Sequence, residues 1–353
     1  MKRLKKIFLL IYLSFFLNSC EKISQSSKQA PNIFLITLDG VRWQEVFYGI
    51  DDLLVNNSKL STEKQYLNDN FNGSSSESKR KKLMPFFWKE IFKNGKLYGD
   101  IHKNSFFSIT NNKNFSYPGY NEILTGDADS LINSNNKIYN KNITVLEKLN
   151  NNIFYKDKVA AFCSWDVFPY IINDKRSGIP VNAGYMPAES MNLNSIEKFI
   201  NKNQKRAPVI WESVRLDVFT HNLAFEYLKK NKPKVIYIAY GETDDFAHMG
   251  DYDQYIKSLH NSDQMIEELW EYVQNDKFYK DNTYFIITTD HGRGTNEKWS
   301  GHGNSKSTWA AILGPNLNEK GIIKNSKNYT NQIAPTIEKI TGISENLLSV
   351  IKL

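Results

Sequence analysis

Three strand-like segments of this chain each end in residues that bind metal. Segment 33–38 runs straight into Asp39-Gly40. Segment 235–240 is followed by Gly241-Glu242-Thr243-Asp244-Asp245-Phe246-Ala247-His248, which contains an Asp-x-x-x-His pair. Segment 284–289 ends in Asp290-His291-Gly292-Arg293-Gly294, and Gly301-His302-Gly303 follows shortly after. Taken singly, an aspartate after a strand is an ordinary turn or helix-cap residue. Together they carry more weight, because the chain has only six histidines and three of them fall here. Three aspartates and three histidines suffice for two tetrahedral-type sites, and mixed imidazole and carboxylate donors suit zinc better than the oxygen-seeking Mg²⁺ or Ca²⁺. Two such ions side by side stabilise the attacking and leaving oxygens of an in-line displacement at phosphorus.

That chemistry needs a nucleophile, and Phe115-Ser116-Tyr117-Pro118-Gly119-Tyr120-Asn121-Glu122-Ile123-Leu124-Thr125-Gly126 offers one. Pro118 suits the first turn of a helix that would run to Thr125 and stop at Gly126. Ser116 would then stand at the helix N-terminus, where the dipole and free N–H groups favour an anion. An isolated Ser-x-Pro is usually a plain N-cap, so the serine gains meaning only beside the metal-binding set.

The ordered set Leu-Asp-Gly-Val-Arg, Ser-Tyr-Pro-Gly-Tyr with Leu-Thr-Gly behind it, Asp-x-x-x-His, Thr-Asp-His-Gly-Arg-Gly and Gly-His-Gly resembles the alkaline phosphatase superfamily. It is most similar to the nucleotide pyrophosphatase/phosphodiesterase branch, over about residues 32–340. The resemblance implies one metal held by Asp39, Asp290, His291 and the Ser116 oxygen, and a second held by Asp244, His248 and His302. It further implies in-line attack by Ser116 on phosphorus and a covalent phosphoserine that water then hydrolyses. Two features depart from that branch: its members usually carry threonine as nucleophile, and the oxyanion-stabilising asparagine has three candidates here, Asn133, Asn135 and Asn136, of which Asn135 is preferred. Arg42 and Arg293 lie beside ligands and read as supports for them or for the fold rather than as phosphate clamps.

Rival functions leave different marks. A sulfatase of this fold class needs Cys/Ser-x-Pro-x-Arg, and after Ser116-Tyr117-Pro118 come Gly119-Tyr120 without the arginine. A non-catalytic surface binding protein would be expected to lose ligands or nucleophile, and none of the seven positions is missing. A phosphomonoesterase commonly holds its three charged oxygens with Arg or Lys, whereas a diesterase needs an apolar or aromatic shelf. Trp165, Phe168 and Tyr170, with Lys175 and Arg176 close behind, could supply either, so the resemblance alone favours the diester.

Short apolar runs at 33–38, 159–163, 235–240, 284–289 and 309–313 read as strands buried on both faces. Helical patterns at 85–93, 144–149, 216–228 and 252–273 alternate with them, and in the last Tyr252, Tyr255, Leu259, Ile266, Leu269, Trp270 and Val273 would face the sheet. The pattern is that of an α/β protein, alkaline-phosphatase-like, with a largely parallel central sheet between helices and its ligands beyond the carboxyl ends of the strands. The polar stretch 51–82 reads as a surface insertion with little fixed structure, and Lys79-Arg80-Lys81-Lys82 within it as a solvated loop.

The basic N-terminus and the apolar run of 11 residues from Ile7 to Leu17 form a signal-peptide pattern too short to span a bilayer. It ends in Leu17-Asn18-Ser19-Cys20, which resembles a bacterial lipobox with Cys20 as the lipidated residue. The expected organisation is a signal peptide at 1–19, a lipid-anchored tether at 20–30 and one catalytic domain at 31–353. The expected location is the bacterial cell envelope, on the outer membrane or the periplasmic face, with membrane attachment through the N-terminal lipid. Cys163 then has no disulfide partner and reads as a small buried hydrophobe. The formal charge of +7 falls to +3 without Lys2, Arg3, Lys5 and Lys6, too little to imply nucleic-acid binding. The partner is a small phosphate ester.

Overall fold

The computed structural model describes residues 30–303, 306–344 and 349–353. The signal peptide, Cys20 and the tether up to residue 29 lie outside them. Among the described residues no helix is long and apolar enough to cross a membrane.

Every strand of the central sheet's middle is apolar at consecutive positions, so it must be covered on both faces. β1 (Asn32–Leu38) is buried throughout, as are β4 (Val159–Cys163) and β6 (Val235–Tyr240). β7 (Thr283–Thr288) is buried but for Tyr284. With β2 (Lys96–Tyr98), β5 (Val181–Ala183), β8 (Ala310–Leu313) and β9 (Gly321–Ile322), these form an eight-stranded sheet in the order β5-β4-β6-β1-β7-β8-β2-β9. β5, β4, β6, β1 and β7 are mutually parallel, and β8 runs antiparallel to both β7 and β2. β3 (Ser105–Ser108) and β10 (Ser326–Tyr329) pair separately. β1 lies between β6 and β7, so the three strands that lead into Asp39, Gly241 and Thr289 are adjacent and release their chains at one edge.

Helix Tyr252–Asn275 lays Tyr252, Tyr255, Leu259, Ile266, Leu269 and Val273 into the core, with Trp270 partly buried against it. Cys163 is buried and free. Residues 51–82 depart from expectation: they hold helices Asp52–Val55, Lys64–Phe71 and Ser76–Leu83. Asp51 and Ser75 cap two of these by accepting N–H bonds from Leu53 and Ser78, and Leu54, Val55, Leu67 and Phe71 enter the core. A few apolar anchors thus fix a segment whose average composition is polar. The basic run sits on the last of these helices, where Arg80 stacks on the Trp88 ring at 3.7 Å.

Asp263, on the long helix, accepts the backbone N–H of Phe86 (2.8 Å) and Phe87 (2.9 Å), and burial pushes its carboxyl up to about 7. A folded-state value above that of the unfolded chain means the fold binds this proton more tightly. Its contribution to stability is present below about pH 4 and is lost as pH rises to about 7, at no more than about 1.4 kcal/mol per pH unit. Chemical denaturation across that range should show a fall that Asp263→Asn flattens.

Candidate metal centre and active site

The carboxyl ends of β1, β4 and β6 open onto a cavity of about 180 Å³ lined by Asp39, Ser116, Asn135, Trp165, Ser213, Val214, Gly241, Asp244, Asp245, His248 and His302. One end of it is a nest of buried donor atoms. His291 Nε2 lies 3.4 Å from Asp39 Oδ1 and 3.5 Å from both Asp290 Oδ2 and Asp244 Oδ1. His291 Nδ1 bonds the Gly292 carbonyl at 3.0 Å, which places its proton there and turns the Nε2 lone pair toward the carboxylates. Asp39 Oδ1, Asp290 Oδ2 and His291 Nε2 are buried without a hydrogen-bond partner among the described residues. Leaving such atoms orphaned is costly unless a cation pairs with them, so the residues fit a metal ion.

The other end is more open. His248 Nε2 stands 3.1 Å from Asp244 Oδ2 and 2.9 Å from His302 Nε2, and His302 Nε2 is 3.8 Å from Asp244 Oδ1. By distance the donors form two groups, Asp244–His248–His302 and Asp39–Asp244–His291. Asp244 therefore belongs to both, while Asp290 joins the second through its contact with His291. Two imidazole nitrogens in hydrogen-bond range beside a carboxylate again suit zinc.

The electrostatics reflect crowding. Burial, with Asp244 nearby, holds the Asp39 carboxyl well above the usual range, and burial with Asp39 does the same to Asp290. Burial pushes Asp244 the same way, but Arg293 and the flanking histidines outweigh it and hold the group well below the usual range. His302 is lowered to about 3 by burial and by His291. Asp245, which lines the cavity beside these groups, is raised to about 7 by burial and by Asp244.

Supporting contacts fix the ligands. Arg293 bonds the Asp244 carboxylate and, at 3.0 Å, its carbonyl. Tyr120 donates to Asp39 Oδ2 at 2.8 Å, and Thr243 donates to the Asp39 carbonyl at 2.6 Å. Gly40 has φ +61°, and a Cβ there would come within 2.5 Å of Asp244 Oδ1, so only glycine allows the two metal-facing loops to approach. Arg42 turns away from the cavity to pair with Glu45 and, at 3.2 Å, with Asp51. Both arginines are thus supports, and neither lines the cavity.

Ser116 opens helix Ser116–Thr125, which Gly126 ends in a left-handed conformation at φ 79°. A Cβ on Gly119 would lie 2.3 Å from the Asp290 carbonyl, so glycine lets this helix abut the end of β7. Of the three asparagines considered, Asn135 reaches the cavity. Its Oδ1 accepts the Tyr117 N–H at 3.0 Å, which commits the oxygen to the helix and leaves the Nδ2 donor for an oxyanion. Asn135→Asp keeps that acceptor and removes the donor, so both it and Asn135→Ala should lower kcat/KM by about 10²-fold with metal content unchanged.

The other residues considered for the ester sort themselves. Trp165 lines the cavity. Phe168 is buried against Tyr120 and Tyr237, and Tyr170 packs on Tyr139. Lys175 lies over the Tyr139 ring, while Arg176 pairs with Glu147 and binds the carbonyls of residues 140–142. Asp217 had no signal in the sequence. Buried at the start of helix Asp217–Asn231, it accepts N–H bonds from Gly241 (2.8 Å) and Glu242 (3.1 Å) and the Ser164 hydroxyl (2.5 Å), clamping helix Glu242–His248 to the loop before Trp165.

Residues 211–344 match the family described as the Metalloenzyme superfamily, a span that contains Asp244, His248, Asp290, His291 and His302. No curated protein matches the chain. Among solved structures, the lipoteichoic acid synthase LtaP from Listeria monocytogenes is similar at TM-score 0.58 and 12% identity, covering 90% of this chain and 73% of that one. A putative sulfatase from Bacteroides thetaiotaomicron reaches TM-score 0.56 at 13% identity (92% and 74%), and a 2-O GAG sulfatase 0.54 at 14% (92% and 73%). Identities this low speak for the fold alone. Residues 211–344 thus resemble the Metalloenzyme superfamily, and the α/β fold with its mostly parallel central sheet is shared with these solved structures.

Proposed function

We propose that this protein hydrolyses phosphoric diesters, similarly to the nucleotide pyrophosphatase/phosphodiesterase branch, with Ser116 as nucleophile beside two zinc ions. Asp39, Asp290, His291 and Ser116 would hold one ion, and Asp244, His248 and His302 the other. When bound, the ions supply Lewis-acid stabilisation of the phosphoryl oxygens and favour the ionised serine. Ser116 Oγ forms the bond to phosphorus as the alcohol departs opposite it. Water then cleaves the phosphoserine, returning the serine and releasing the phosphate monoester. Asn135 Nδ2 offers a hydrogen bond to the oxygen that gains charge.

The lining of the cavity carries the choice of diester over monoester. It contains no lysine or arginine among the described residues, and the nearby Lys137 is paired with Asp166 at 2.7 Å. A monoester dianion lacks the cationic clamp it usually needs, whereas a diester needs an aromatic wall, which Trp165 supplies. We propose further, from the signal-peptide and lipobox pattern alone, that lipid on Cys20 holds the enzyme on the bacterial cell envelope.

Zinc-loaded protein should cleave bis-p-nitrophenyl phosphate with a kcat/KM at least about tenfold above that for p-nitrophenyl phosphate. The reverse preference would make it a monoesterase. Turnover of p-nitrophenyl sulfate, with neither phosphate cleaved, would move it to the chemistry of its sulfatase neighbours.

A further inference from the structure

We propose that residues 205–210, together with the outward face of the helix before them, dock on an anionic lipid surface and set the rim of the cavity against it. The proposal goes beyond the reading above and depends neither on the ester cleaved nor on lipid at Cys20.

Helix Ser195–Gln204 buries polar residues and exposes apolar ones. Glu197 and Gln204 point inward with Ile200. Glu197 accepts the Asn194 N–H at 2.7 Å and lies 3.3 Å from Lys230, and Gln204 donates to the Tyr185 carbonyl at 2.9 Å. Ile196 and Phe199 face outward, Phe199 66% exposed. A surface helix of a soluble domain ordinarily shows the reverse arrangement.

The loop that follows continues the pattern. Pro208, Val209 and Ile210 are exposed in succession, Val209 by 63%. Tyr185 pins both ends of the loop, its carbonyl accepting from Gln204 and its hydroxyl donating to the Trp211 carbonyl at 2.8 Å. The fold therefore holds these apolar side chains outward. Trp211, partly buried, stands edge-on to Phe246 at 4.7 Å and donates to Met249 Sδ at 3.3 Å. Met249 follows His248 and is 60% exposed, and Ser213 and Val214 line the cavity, so the patch reaches the cavity's rim. Contiguous exposed apolar groups edged by polar ones mark a surface that meets a partner.

Charge names that partner. From Lys198 to Trp211 the chain carries Lys198, Lys202, Lys205 and Arg206 and no acid. All four are exposed, and among the described residues none of their side chains has a hydrogen bond or an ion pair. Beyond this run Glu189 and Glu212 are exposed, and Asp245 lines the cavity near Tyr185. Unpaired cations interleaved with aliphatic tips and a boundary tryptophan match an anionic bilayer, whose headgroups meet the cations while the apolar tips enter the acyl boundary.

Residues 31–353 form one compact unit that contains the core, so this body can be tested free of the basic, apolar segment at 1–17. In vesicle sedimentation at low salt it should partition at least about a hundredfold more strongly onto mixed phosphatidylglycerol and phosphatidylcholine than onto phosphatidylcholine alone, and molar salt should remove most of the difference. Lys205→Gln with Arg206→Gln should lower binding to the anionic vesicles about thirtyfold, at about fivefold per charge. Lys81→Gln with Lys82→Gln removes the same charge elsewhere and should leave binding within about twofold. Val209→Ser with Ile210→Ser should lower it at least about tenfold. A nitrobenzoxadiazole label on Val209→Cys, with Cys163 buried out of reach, should shift its emission to the blue on anionic vesicles. Binding that is absent or equal on the two vesicles, no loss from the 205/206 change, equal loss from the 81/82 change, or a label that stays in water overturns the proposal. So does a dimer in analytical ultracentrifugation that the 209/210 change splits, since the face would then belong to a second copy of the chain.

Discussion

Ser116→Ala should lower ester hydrolysis by at least about 10⁴-fold while the protein keeps its fold and its metal. The size of the loss reflects the role. Ser116 is 5% exposed, starts a ten-residue helix and shares its cavity with Asp39, Asn135 and the open metal group. Alanine favours the helix, so stability should not fall. It removes one oxygen from the first ion's set but leaves Asp39, Asp290 and His291, and zinc measured by atomic absorption should stay near the parent's value. Activity retained within tenfold would show that water attacks directly, and the covalent route would be wrong. Mass spectrometry of acid-quenched enzyme offers an independent check: a phosphoryl adduct should appear on the peptide holding Ser116 and vanish in the variant.

Removing the metal should abolish activity and lower the melting temperature by several degrees, both reversed by zinc. Three carboxylates and an imidazole meet within 3.5 Å at the buried end, and three of their atoms have no hydrogen-bond partner among the described residues. An ion present at a hundredfold its dissociation constant stabilises each site by about 2.7 kcal/mol, so its loss is visible in the unfolding transition. Asp290→Asn should be more severe than His302→Ala for stability, because Asp290 is fully buried whereas the His302 side chain is 24% exposed. Both should lose activity by orders of magnitude. A chelated protein with unchanged melting and turnover would show the donors to be a hydrogen-bonded cluster of the fold.

Much of this centre is legible from residue order alone. Apolar runs without polar alternation can only be strands covered on both faces, and a parallel sheet made of them delivers the residues after each strand to one edge. That is why Asp39, the Asp244–His248 pair and Asp290–His291 can be assigned to one place from the order of their strands. Helix Ser116–Thr125 is legible too, because Pro118 and Gly126 mark its ends through backbone geometry that is local. Segment 51–82 departs from its expected loop for the converse reason: its helices depend on four apolar residues meeting a distant core, which composition averages away.

The sequence by itself determined which residues could donate to a metal, the serine proposed as nucleophile and the strand ends that carry them, because each depends on a residue type and on periodicities of a few residues. Only the tertiary structure decided which donor atoms lie together, since Asp244 stands within 3.5 Å of His291 and 3.1 Å of His248 from opposite oxygens. Tertiary contact likewise brought Asn135 rather than its neighbours to the cavity and assigned Arg42, Lys175 and Arg176 to partners away from it. Those outcomes depend on through-space distances between residues far apart in the chain, which are set by how strands and helices pack.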